Sequence, residues 1–93
     1  MSLIFCISET ATGRPQLVAG PPCEVEDFEQ RAEVIVERFQ MTIKEKIEGL
    51  DVIIWITSIG SDLFCISWDI WLAEVSVATW KETPGEKLKN LIL

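Results

Sequence analysis

The chain is 93 residues long, about one domain's worth of polypeptide, and its 48% hydrophobic and 25% charged residues are a globular composition rather than a disordered or fibrous one. Fifteen acids against eight bases leave a formal net charge of −7, with no histidine and no tyrosine. Direct nucleic-acid binding is excluded on this balance, because it depends on cations that neutralise phosphates, and anionic membrane surfaces are disfavoured for the same reason. No apolar run approaches the roughly 18 residues that span a bilayer, and the N-terminal apolar run has no cationic lead of the secretory type. The expected location is cytoplasmic.

In chain order, residues 2–8 (SLIFCIS) form an apolar run of strand length, followed by a polar connection ending at Gly13. Residues 16–19 suit a short return strand that Gly20-Pro21-Pro22 must stop, since neither proline can donate to a ladder. From 24 to 48, Val25, Phe28, Ala32, Ile35, Val36, Phe39, Ile43 and Ile47 recur at intervals of three and four, which predicts one long amphipathic helix. Glu24, Glu26, Asp27 and Glu29 crowd its start while Lys44 and Lys46 lie near its end, as the macrodipole favours, and Gly49 is placed to terminate it. Such a helix of about 25 residues would be nearly 40 Å long.

Three strands are then predicted over 51–58, 63–71 and 74–80, rich in β-branched and aromatic residues, with a turn at 59–62. Thr83-Pro84-Gly85-Glu86 has capping-box order and predicts a short helix over 87–93. The order β(β)αβββα defines a single acidic α+β domain over 1–93, with a mainly antiparallel sheet of four to five strands, the long helix on one face and a short C-terminal helix. Sorted by pleat, Leu3, Phe5, Ile7, Val52, Ile54, Ile56, Phe64, Ile66 and Trp68 are expected beneath the helix. A mixed second face holds Ile4, Cys6, Ile53, Trp55, Thr57, Cys65, Ser67, Asp69, Ala78 and Trp80, and it is too apolar to stand wholly in water.

Chemistry narrows quickly. Cys6, Cys23 and Cys65 are odd in number, two of them sit in apolar strand-like runs, and without a CxxC pair or a histidine they make neither a disulfide framework nor a zinc site. No histidine is available as a base for a serine or cysteine nucleophile, no Ser-x-x-Lys arrangement occurs, and the five glycines are scattered singly. The expectation is therefore a non-enzyme with no catalytic residues, no metal and no cofactor.

Residues 24–74 hold twelve acids and four bases, so the charge is concentrated. On a continuous helix Glu26, Glu33, Glu37 and Glu48 share an outward flank, with Val34 and Met41 opposite the core stripe. Trp71 sits at a strand end between Asp69 and Glu74. Glu26, Glu33, Glu37, Asp69 and Glu74 as electrostatic contacts, with Met41 and Trp71 as anchors, are the expected partner-binding residues, and the partner is a basic protein. In size, charge and physical logic the chain resembles the immunity proteins that neutralise bacterial nuclease toxins, and phage inhibitors of nucleic-acid enzymes. No motif aligns with either, so no residue role is carried over. The alternative expectation is a non-catalytic structural or accessory subunit that homodimerises through the mixed sheet face or an edge strand.

Overall fold

The computed structural model describes residues 3–10 and 12–92. Their elements are β1 (Ile4–Glu9), β2 (Pro15–Gly20), α1 (Val25–Phe39), β3 (Thr42–Glu48), β4 (Val52–Ile59), β5 (Asp62–Asp69), β6 (Glu74–Thr79) and α2 (Glu86–Lys89). All six strands join one antiparallel sheet in the order β1-β2-β6-β5-β4-β3. The α+β class and the antiparallel sheet follow the sequence pattern. Ser2 and Leu93, which bound two of the predicted elements, lie outside the described residues.

The long helix does not extend to residue 48. α1 stops at Phe39, Gln40 adopts a left-handed conformation (φ 54°, ψ 47°), and 42–48 becomes β3, raising the sheet to six strands. Ile43 and Ile47, four apart, suit one helix face and equally one face of an uninterrupted strand, so their spacing carried no information about which would form. Length decides against the helix: nearly 40 Å would overrun a body whose longest extent is 30 Å, whereas fifteen residues span about 22 Å. Pairing with β4 also gives that strand a second neighbour. Gly49 consequently lies in the β3–β4 turn and terminates no helix. A bulge between Ile43 and Glu45 re-phases β3, so that Ile43 lies on the same face as Thr57 and Ile47 on the opposite one.

Register assigns the two faces. Leu17, Val77, Ile66 and Trp55 share one row, and Ala19, Val75, Trp68 and Ile53 the next. These residues meet Phe28, Ala32 and Ile35 of α1 in a single core, which Leu88 of α2 also joins. Trp55 and Trp68 are buried there. Phe5 of β1 meets Phe39 near the end of α1 (5.4 Å), and Trp55 of β4 meets Phe28 edge-on (5.6 Å), so side chains from both flanks of the sheet reach the helix between them. The pleat of β4 is opposite to that expected: Ile53, Trp55 and Thr57 face α1, while Val52, Ile54 and Ile56 lie with Cys65, Ser67 and Asp69 on the open face. Val52–Ile59 is apolar on both sides, so alternation alone did not set its phase. The capping box before α2 is not formed either. The Thr83 hydroxyl accepts a hydrogen bond from the Leu63 amide (2.9 Å), and Gly85 occupies the N-cap position.

One buried bond ties the β2–α1 connection to the core: the Trp68 indole N–H donates to the Cys23 carbonyl (2.9 Å). Trp68→Phe removes the donor and leaves that carbonyl unpaired beside a smaller ring. It is expected to lower unfolding free energy by about 1–3 kcal/mol, read as a fall in the urea midpoint; an unchanged midpoint contradicts this role.

Candidate functional site

The row Ala19, Val75, Trp68, Ile53, Glu48 crosses the sheet from β2 to β3. Beyond it the chain makes three connections at one end of the molecule: 20–24 from β2 into α1, 49–51 between β3 and β4, and 70–73 between β5 and β6. Two backbone hydrogen bonds join them. The Ile70 amide donates to the Asp51 carbonyl (3.0 Å), and the Cys23 amide donates to the Ala73 carbonyl (2.8 Å).

The third connection is held from within. Asp69 Oδ1 accepts hydrogen bonds from the amides of Trp71 (2.7 Å) and Leu72 (3.4 Å), and the Ala73 amide donates to the Asp69 carbonyl (2.7 Å). Ala73 sits at φ 51°, a left-handed conformation that closes the turn before β6 begins. With the backbone occupied by these bonds, the side chains of Ile70, Trp71 and Leu72 project outward and are 48%, 84% and 62% exposed. Leu50 on the adjoining turn is 99% exposed. Scattered surface hydrophobes need no explanation, but three consecutive ones presented by an ordered turn beside a fourth make a continuous exposed apolar patch.

Charge is polarised to the same end. The segments 20–31, 46–53 and 68–75 hold eight of the fifteen acids but only two of the eight bases, Arg31 and Lys46. Neither base pairs with these carboxylates at ion-pair distance. Arg31 is buried, and its guanidinium donates to the carbonyls of Ala19 and Pro21 while its Nε has no partner. Lys46 places its ammonium 4.2 Å from the Trp55 ring centroid, a cation–π contact. Among the described residues the one ion pair is Lys87–Asp62 (3.8 Å), at the opposite end of the strands. A groove of about 510 Å³ continues along the flank, between Glu26 and Glu29 of α1 and Lys46 and Glu48 of β3, with Phe28, Ile53 and Trp55 in its lining.

Four of the expected contact residues gather at this end: Asp69, Trp71 and Glu74 flank or form the 70–73 turn, and Glu26 is exposed on the first turn of α1. Asp69 does more than carry charge, because its carboxylate orders the turn that presents Trp71. Glu33 and Glu37 are exposed but lie progressively farther along α1. Met41 is no anchor. It is 7% exposed, with the Thr57 hydroxyl 3.3 Å from its sulfur, because the chain reverses at Gln40 and folds Met41 inward. Val34, also expected to point at solvent, is half-buried. Leu50, Asp51, Ile70 and Leu72 belong to this end and were not anticipated, and Glu48 sits here at the end of β3 rather than on the helix flank where it was expected; reading 49–51 as a hairpin turn would have revealed Leu50 and Asp51 and placed Glu48.

No group of three or more potential metal-ligating side chains occurs among the described residues, and no helix there is long and apolar enough to cross a membrane. Cys6 is exposed. Burial raises the thiol pKa of Cys23, against a smaller lowering by Arg31, and burial likewise raises that of Cys65. Comparison with protein-family models, curated proteins and solved structures finds no match.

Asp69→Ala removes the acceptor for two amides, so it is expected to cost about 1 kcal/mol and to speed chymotryptic cleavage within 70–73; cleavage at the wild-type rate contradicts the role of the carboxylate. The raised thiols also set a sign for alkaline pH. A group whose pKa is higher in the folded state contributes its stability fully below the ordinary value, here 9.0, and loses it as pH rises through the folded-state pKa. Urea midpoints are expected to fall above pH 9.0, and iodoacetamide to label Cys6 before Cys65 and Cys23.

Proposed function

We propose that this chain is a small non-catalytic cytoplasmic inhibitor, immunity or antitoxin-like in its action, that uses the three-connection end to occlude a basic protein partner such as a nuclease toxin or nucleic-acid enzyme. One observation carries the reading: Ile70, Trp71 and Leu72 stand exposed on an internally bonded turn, among carboxylates without ion-pair partners at the same end. Unpaired negative charge raises the rate of encounter with a cationic surface and lets carboxylates occupy positions that phosphates would take. Desolvation of Trp71 and its neighbours then slows dissociation, as aromatic anchors do at other interfaces. Arg31 and Lys46 offset only two of the eight carboxylates at this end, and neither forms an ion pair with them: one is held by backbone carbonyls and the other lies on an indole ring.

The test is the affinity of the partner recovered from the source cells, purified and measured across ionic strength. Wild-type association is expected to slow steeply with salt. Trp71→Ala should weaken binding by roughly thirty-fold, about 2 kcal/mol, mainly through faster dissociation. Asp51→Lys with Glu74→Lys should slow association more than Glu33→Lys with Glu37→Lys, because the latter pair lies away from the turn. Salt-independent binding together with an unaffected Trp71→Ala variant would overturn the proposal.

A further inference from the structure

The sheet face opposite α1 is covered by neither helix. The core cluster that includes residues of α1 and Leu88 of α2 contains no residue of this face, which carries Val18, Ile54, Ile56, Cys65 and Ala78 by register. Its central polar pair is already satisfied, since the hydroxyls of Ser67 and Ser76 lie 3.2 Å apart and bond to each other. Toward one end the face forms a shallow depression of about 360 Å³ that includes Ile47, Ile56, Leu63 and Trp80 and is bordered by Lys81 and, on β3, by Lys44 and Glu45. At the other end Asp69 and Glu74 stand opposite each other on β5 and β6. Along the β5–β6 pair the surface therefore runs from two carboxylates, through an uncharged middle, to a lysine just past the end of β6.

We propose that this face packs against the same face of a second copy of the chain, sheet on sheet, about a two-fold axis that lies in the interface and runs across the strands. That axis reverses the strands of one copy relative to the other. Asp69 and Glu74 of each copy then lie toward Lys81 of the other, and the contact occurs twice, as an isologous interface requires. An axis parallel to the strands would instead place acid over acid, so the charge pattern selects the reversed arrangement. The uncharged middle of the β5–β6 strip limits the charge that two chains of net charge −7 bury on approach, with Lys44 and Glu45 of β3 to one side of it. Growth of the sheet at β3 is opposed by Lys44, Lys46 and the bulge, devices that protect exposed edges. The 70–73 turns lie at opposite extremes of the pair, so Trp71 stays clear of the dimer contact, while Asp69 and Glu74 serve both proposals.

Sedimentation equilibrium of the purified chain tests this across micromolar concentrations. The wild type is expected to dimerise, and alkylation of Cys65 to slow as concentration rises. Lys81→Glu and Glu74→Lys, both conservative of the core, should each raise the dimer dissociation constant about tenfold, and the double exchange should restore it. A chain that stays monomeric overturns the proposal. So does a dimer whose Cys65 reacts at a concentration-independent rate, as pairing through β1 would give, or one in which the double exchange fails to rescue the single variants. Binding by Trp71→Ala is a separate readout, so failure here leaves the inhibitor reading standing and the reverse also holds.

Discussion

The indole N–H of Trp68 reaches out of the sheet to the carbonyl of Cys23, and the architecture of the acidic end depends on that one buried contact. Trp68 belongs to β5, whose hairpin to β6 presents the exposed apolar turn, while Cys23 lies at the entrance to α1. The bond therefore joins the sheet to the connection that enters the helix, and the amide of the same Cys23 donates onward to Ala73. A buried residue whose amide and carbonyl are both bonded is expensive to disturb, because either lost partner leaves a buried polar atom unsatisfied. Through it, the packing of Phe28 and Ile35 against the sheet is transmitted to the turn that carries Trp71.

The fold tolerates its charge by placement. Glu24, Glu26 and Asp27 occupy the start of α1, where the helix dipole favours negative charge. Asp69 spends one oxygen on two amides. Glu48, Asp51 and Glu74 have no such local compensation from the described residues, and their mutual repulsion opposes compaction at low salt. The apolar surface obeys a similar logic: Ile70, Trp71 and Leu72 are exposed where the backbone needs a tight turn, whereas the open sheet face keeps small or β-branched residues around a self-satisfied serine pair, with Leu63 and Trp80 toward one end. The carboxylates of Asp69 and Glu74 lie where the two surfaces meet.

Much of the sheet was legible because strand-length apolar runs and turn residues alternate plainly after residue 50. The Gly60-Ser61 turn, for example, has glycine at the positive φ its first position requires. The segment 42–48 was not, since Ile43 and Ile47 fit either period and the deciding facts, the extent of the body and the free edge of β4, are tertiary. Losing that strand displaced Met41 from core to surface and hid the 49–51 turn, so one local ambiguity propagated into the site. Asp69, Trp71 and Glu74 lie together, as their spacing in the sequence suggests, because their neighbourhood depends only on two adjacent strands. The joining of 20–24, 49–51 and 70–73 was invisible to sequence, because its bonds use backbone atoms of residues whose side chains give no hint of them.

The central claim is that this end is one ordered surface rather than three independent loops. Backbone ¹⁵N relaxation and amide exchange of the wild-type chain address it directly through Cys23, Ile70, Trp71 and Ala73, whose amides are all donors in the structure. Order parameters near those of the strands, about 0.85, and slowed exchange at Cys23, Ile70 and Ala73 are the predicted result. Order parameters below about 0.6 through 70–73, with unprotected amides, would contradict it.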